Sequence, residues 1–192
     1  MCNSVLRGKD WVEDFYREHK DEVNSVLDVG CGRGIWAGCL KSVKPQAIWH
    51  GIEIWRPYVV KYKKNLDRLY DKIFVEDAIN FNYDRGYDFI IMGDVLEHMT
   101  LDNAKKVVKN AINHSKYICA SMPLGNDPHP AEHGNPYQEH VTNYWTLEKM
   151  KEMITESGGD VFDYRKFDCA YLNHPIELGV VLAHGKNYLV RG

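Results

Sequence analysis

No apolar run in this 192-residue chain reaches the length of a membrane span, and Met1–Lys20 is polar and charged, without the apolar stretch of a secretory leader. Neither a membrane partner nor export through such a leader is expected. Paired cysteines are missing as well. Cys2, Cys31, Cys39, Cys119 and Cys169 are odd in number and scattered, with no C-x-x-C spacing. A disulfide framework is therefore not expected, and a reduced, cytoplasmic setting is. There is no surplus of positive charge: 24 Lys and Arg stand against 27 Asp and Glu, a net charge of −3, which argues against a duplex nucleic-acid partner. Repeats and low-complexity tracts are also absent. What remains is 44% hydrophobic and 27% charged residues, enough to bury a core in a single domain spanning 1–192. Oligomeric state is not legible from these numbers.

Periodicity divides the chain into alternating elements. A first helix is expected over Asp10–Asn24, with Trp11 and Phe15 on one face. Strands are expected at Val26–Val29, Ala47–Ile54, Lys72–Glu76, Tyr87–Gly93 and Lys116–Met122. Between them lie helices at Ile35–Ser42, from Pro57 to Tyr70, and from a Thr100 cap to Ser115. The run Tyr-Asp-Phe-Ile-Ile-Met-Gly at 87–93 is nearly all apolar, the mark of a strand covered on both faces. A helix at Thr146–Ser157 and strands at Asp160–Asp168 and Ile176–Gly185 complete the chain. Strands alternating with helices predict a doubly wound α/β sheet, and two last strands joined without a helix predict one antiparallel member near the C-terminus.

The segment Val26-Leu27-Asp28-Val29-Gly30-Cys31-Gly32-Arg33-Gly34 carries the sharpest signal. A strand runs into a turn with glycine at every second position, where backbone can approach a nucleotide-like ligand at a helix N-terminus. Asp28 is polar at the end of an apolar strand and calls for a partner. The pattern Asp28, Gly30, Gly32, Gly34 resembles the nucleotide-binding turn of class I S-adenosylmethionine (SAM) dependent methyltransferases. It fits the dinucleotide fingerprint less well, because Ile35 stands at the third glycine position. The resemblance implies a Rossmann-like, seven-stranded methyltransferase sheet, SAM as cofactor and S-adenosylhomocysteine (SAH) as product. Three further acids fall at strand ends. Glu53, 19 residues after Gly34, has the spacing of the carboxylate that accepts ribose hydroxyls. The resemblance puts Asp77 and Ala78 at the adenine and Asp94 beside the methyl group. The cofactor-binding set is thus Asp28, Gly30, Cys31, Gly32, Gly34, Glu53, Ile54, Asp77, Ala78, Asp94 and Val95.

Asp94-Val95-Leu96-Glu97-His98-Met99 resembles the strand-four motif of ubiquinone-biosynthesis-like O-methyltransferases. If it turns helical, residues 94, 97 and 98 share one face. Two carboxylates and an imidazole there can move a proton or hold a cation. A more distant resemblance is to small-RNA 3′-terminal 2′-O-methyltransferases, through this motif and Glu139-His140-Val141-Thr142-Asn143-Tyr144-Trp145-Thr146. Carried over, that family's divalent ion would sit among Asp94, Glu97, His98 and His140. Here the first acid is Asp rather than Glu, and one extra residue separates His140 from Trp145. No metal ligand is therefore assigned from the sequence, and a capping or salt-bridging role stays open for Glu97.

Pro123–Asn143 breaks the pattern with His129, His133, His140, Glu132 and Glu139. H-x3-H and H-x6-H spacings without cysteine fit no common structural zinc site, and a lid is expected instead. His140 is the first choice of general base, because imidazole titrates near neutrality. His98 and Glu97 complete the candidate catalytic set. Tyr137, Tyr144 and Trp145 either line an aromatic wall or pack the lid onto the sheet edge. The leading expectation is O-methylation of a small-molecule or sugar-bearing acceptor. The alternatives are metal-assisted 2′-O-methylation of RNA 3′ ends or nucleoside sugars, and a SAM-binding protein without turnover.

Overall fold

The structure is a computed structural model that describes residues 7–131, 134–142, 144–171 and 174–186. Cys2, Glu132, His133 and Asn143 lie outside the described residues. In chain order the elements are α1 (Lys9–Glu18), β1 (Ser25–Val29), α2 (Ile35–Leu40), β2 (Ile48–Ile52), α3 (Arg56–Lys61), α4 (Lys63–Leu69), β3 (Lys72–Phe74) and β4 (Tyr87–Gly93). A 3-10 turn at Leu96–His98 follows, then α5 (Leu101–Asn113), β5 (Ser115–Leu124), a second 3-10 turn at Pro136–Gln138, α6 (Leu147–Glu156), β6 (Asp160–Tyr171) and β7 (His174–His184).

The strands form one sheet in the order β3-β2-β1-β4-β5-β7-β6, with β7 antiparallel to both of its neighbours and the other pairs parallel. This is the Rossmann-like methyltransferase sheet with its single reversed strand. The strand order changes direction between β1 and β4, so the crevice at their carboxyl ends is the switch point where such sheets bind ligands. β4 alternates between two cores: Ile90 and Met92 join one hydrophobic cluster, Phe89 and Ile91 the other. The polar residues flank this buried run, Asp88 near its start, bonded to Asn24 and Ser25, and Asp94 just after its end.

Local differences from the sequence expectation have physical causes. α1 ends at Glu18 rather than Asn24, because residues 19–24 turn to meet Lys44, whose Nζ donates to the Lys20 carbonyl at 2.6 Å and to Asn24 Oδ1 at 2.9 Å. The single helix expected from Pro57 to Tyr70 breaks at Tyr62 into α3, which buries no residue, and α4, anchored through Leu66. β5 extends to Leu124 because β7 pairs with it as far as Glu177. The lid begins after β5 as a strap whose ends are clipped together, Gly125 N–H donating to the Trp145 carbonyl at 2.7 Å.

Candidate active site

Two neighbouring cavities, of about 150 and 160 Å³, open at the carboxyl ends of β1 and β4. Gly30 and Gly32 of the glycine turn line both, Cys31 only the first, while Asp28 and Gly34 line neither. Gly30, Gly32 and Gly34 have φ of 74°, 51° and 80°, a region costly for side-chain-bearing residues. A Cβ on Gly30 would lie 2.6 Å from Val95 Cγ2, so this glycine is required twice, by conformation and by space. Asp28, 1% exposed, finds its partner in Tyr70, whose hydroxyl donates to Oδ2 at 2.5 Å. Its Oδ1 has no partner among the described residues. Burial lifts the Asp28 carboxyl to about 7, against the opposing pull of the Tyr70 hydrogen bond and Lys9.

The second cavity is lined by Glu53, Ile54, Asp77, Ala78 and Val95. Glu53 accepts from the Gly32 amide at 2.9 Å and from the Trp55 amide at 2.7 Å, tying the end of β2 to the glycine turn. Burial raises its pKa, and the two amides oppose that rise by favouring the carboxylate. Asp77 Oδ1 caps its own turn through the Ile79 amide at 2.9 Å. The strap supplies the roof. Asn135, 1% exposed, accepts from the Tyr137 amide, and Tyr137 faces Trp55 with ring centroids 6.0 Å apart. Among the three lid aromatics, only Tyr137 reaches this cleft. Trp145 is turned into the core by the Gly125 bridge, and Tyr144 is 62% exposed beside a separate groove.

The first cavity gathers Cys31, Glu97, His98, Asp127, His129 and His140. Here the strand-four motif and the strap are laced together across more than forty positions. The Glu97 carbonyl accepts from the Val141 and Thr142 amides, and Thr142 Oγ1 donates to the Met99 carbonyl at 2.6 Å. His98 Nδ1 lies 3.0 Å from the Glu139 carbonyl, and His140 Nδ1 2.6 Å from that of Asp127. A carbonyl only accepts, so each Nδ1 carries the proton and each Nε2 keeps its lone pair. Burial holds His98 down to about 4 and lowers His140 as well, which favours the neutral ring in both.

Glu97 is 2% exposed, and its Oε2 has no partner among the described residues. Burial, reinforced by the Asp94 charge, pushes its carboxyl well above the usual range. One ligand atom each from Glu97, His98 and His140 lies within 4.8 Å of the others. Asp94 stands outside that group, with Oδ2 3.8 Å from Lys9 Nζ and Oδ1 accepting from Ser121 Oγ at 3.3 Å. Cys31 is buried and its thiol pushed up, which makes it a wall rather than a nucleophile. The four described cysteines are all free. Sequence reasoning missed Tyr70, Lys9, Tyr58, Asn135 and Asp127. None sits in a motif, and each reaches the site through tertiary packing.

A glycine turn, a ribose-spaced carboxylate and a seven-stranded sheet with one reversed strand define a class I SAM-dependent methyltransferase. The model of the methyltransferase domain family matches residues 7–164. The chain belongs to that family, and SAM is its methyl donor. No curated protein matches it in sequence. Among solved structures it resembles the N-methyltransferase NodS from Bradyrhizobium japonicum in complex with SAH, with TM-score 0.70 and 9% identity over 96% of this chain and 90% of that one. It also resembles an S-adenosylmethionine-dependent methyltransferase from Clostridium acetobutylicum (TM-score 0.67, 17% identity, 92% and 89% covered). A third is the N-terminal domain of EvdMO1 with SAH bound (TM-score 0.68, 12% identity, 95% and 83% covered). At these identities the likeness is one of fold. Among the described residues no helix is long and apolar enough to cross a membrane.

Proposed function

We propose that this chain transfers the methyl group of SAM to an oxygen of a small-molecule or sugar-bearing acceptor held in the first cavity. The observation that carries this reading is the His140 imidazole on the wall of that cavity, its Nδ1 held by the Asp127 carbonyl so that Nε2 is left as the acceptor. Methyl donor and acceptor occupy adjoining cavities. The turn of Gly30 and Gly32, with Asp28, holds the methionine part of the donor, Glu53 the ribose, and Asp77 with Ala78 the adenine. An acceptor oxygen attacks in line with the S–CH₃ bond. The bond pair returns to sulfur, leaving SAH, and the hydroxyl proton passes to His140 Nε2. His98 and Glu97 complete the wall that orients the acceptor. The test is a transfer assay with methyl-labelled SAM against a panel of phenols, alcohols and sugar-bearing metabolites. Label on an acceptor oxygen supports the reading, and label found only on nitrogen or carbon acceptors overturns it.

One observation favours a second reading. The orphaned, buried Glu97 carboxylate oxygen and two imidazoles with Nδ1–H given to carbonyls have the chemistry of a divalent-cation site, with that outer hydrogen bonding fixing the tautomer. Glu97, His98 and His140 would hold the ion, which would polarise an acceptor hydroxyl and lower its pKa. Under this reading the acceptor is a sugar hydroxyl of a nucleoside or RNA 3′ end, and His140 is a ligand rather than a base. Full activity in EDTA excludes it; loss in EDTA with recovery on added Mn²⁺ or Mg²⁺ favours it.

A further inference from the structure

The two cavities share the lining residues Gly30, Gly32, Tyr58, Asp94, His98 and Gln138. Asp94 is the one carboxylate among them. A methyl group leaving a donor in one cavity for an acceptor in the other must cross this junction, so a donor's sulfur and Asp94 face the same small space. The position is built with effort. Asp94 has φ 53°, a left-handed conformation uncommon outside glycine, held by its amide donating to the Ser121 carbonyl at 2.9 Å. Behind it stands Lys9, the first residue of α1, 2% exposed, its Nζ 3.8 Å from Asp94 Oδ2 and 4.2 Å from the Trp36 ring centre. An ammonium so deeply buried is costly unless negative charge answers it. At 3.8 Å this contact is charge attraction rather than a short hydrogen bond.

We propose that Asp94 reads the positive charge on the donor's sulfonium, so that the protein prefers the charged donor to the neutral thioether product, and that Lys9 is a positioning residue that sets the strength of this reading. Methyl transfer returns the S–CH₃ bond pair to sulfur and removes its charge, so the attraction vanishes when the product forms. Such a contact favours donor over product and hastens exchange. It does not by itself stabilise the transition state, where positive charge is already leaving sulfur. Lys9 competes for the same carboxylate, so its removal strengthens the preference.

The proposal rests on the donor lying with its sulfur at this junction, and a matched pair of ligands tests it on the full chain. SAH has a neutral sulfur, and sinefungin carries an amine-bearing carbon in place of the methyl-sulfonium. Both keep the adenosine and the amino-acid end, so those contacts cancel in the ratio of their affinities, measured by calorimetry. Wild type is expected to prefer sinefungin. Asp94→Asn is expected to lower the sinefungin-to-SAH ratio about tenfold, the size of a charge contact in a partly buried site, with SAH affinity little changed. Lys9→Met is expected to raise the ratio, and Lys9→Arg to restore it. An unchanged ratio in Asp94→Asn, or an equal loss of both ligands, overturns the proposal. If Lys9→Met does not fold, Asp94→Asn decides alone. Failure of the wild type to bind SAH at all overturns the donor placement and the proposal with it.

Discussion

The two cavities, proposed for the donor and for the acceptor, are built in different ways. On the side proposed for the donor, Gly30 and Gly32, residues 53–54 and residues 77–78 follow β1, β2 and β3, and the sheet register brings them together with the Glu53 carboxylate bonded to the Gly32 amide. The side proposed for the acceptor is joined from two segments, Glu97–Met99 and Asp127–Thr142, held by hydrogen bonds to backbone carbonyls that span 41 to 45 positions. The former takes its walls from strand ends and only its roof from the strap; the latter takes Asp127, His129 and His140 of its wall from the strap itself. A strap of this kind can change its contents without disturbing the sheet, which is how one donor site comes to serve many acceptors.

That contrast can be broken from either side. Gly30→Val should have the largest effect. Its side chain meets Val95 at a backbone φ of 74°, and SAH binding should fall more than about a hundredfold by calorimetry. His140→Ala should lower methyl transfer by about 10²- to 10⁴-fold while SAH affinity stays within about twofold. A parallel loss of both would show that the two sides are not separable. Tyr70→Phe strips the buried Asp28 carboxyl of its donor and should cost about 1–3 kcal/mol in denaturant unfolding, leaving the acceptor wall untouched.

A further effect is one of pH. The Asp28 carboxyl rises from 3.8 to about 7 in the fold, so between those values the folded state holds a proton that the unfolded chain has lost. Stability of the ligand-free protein therefore falls as pH rises through this window. Asp28→Asn should flatten that part of the melting profile. His98 works in the opposite sense: its pKa drops to about 4, so its contribution is lost as pH falls from about 6.5 towards 4.

The same contrast explains what was legible in the sequence. The seven strands, their order of appearance and the reversed β7 follow from apolar periodicity and turn chemistry, which are local. Glu53, Asp77 and Asp94 stand out in the sequence because each follows an apolar stretch expected to be a strand. The meeting of Glu97 and His98 with His140 rested on a motif resemblance, and the structure brings these three together while turning Asp94 towards Lys9. Tyr70 and Lys9 left no trace, since a tyrosine in a helical stretch and a lysine at a helix start look like surface residues until packing buries them. Tyr144 and Trp145 are adjacent in sequence yet part ways, one outwards and one into the core, because a single bridge at Gly125 sets which of them faces inwards.

The most direct test is a crystal structure of the full chain with SAH. The account predicts the adenosine in the second cavity, its ribose hydroxyls on Glu53, and the sulfur at the junction beside Asp94, facing the cavity walled by His98 and His140. A sulfur that points away from that junction, or an adenine seated in the first cavity, would contradict it.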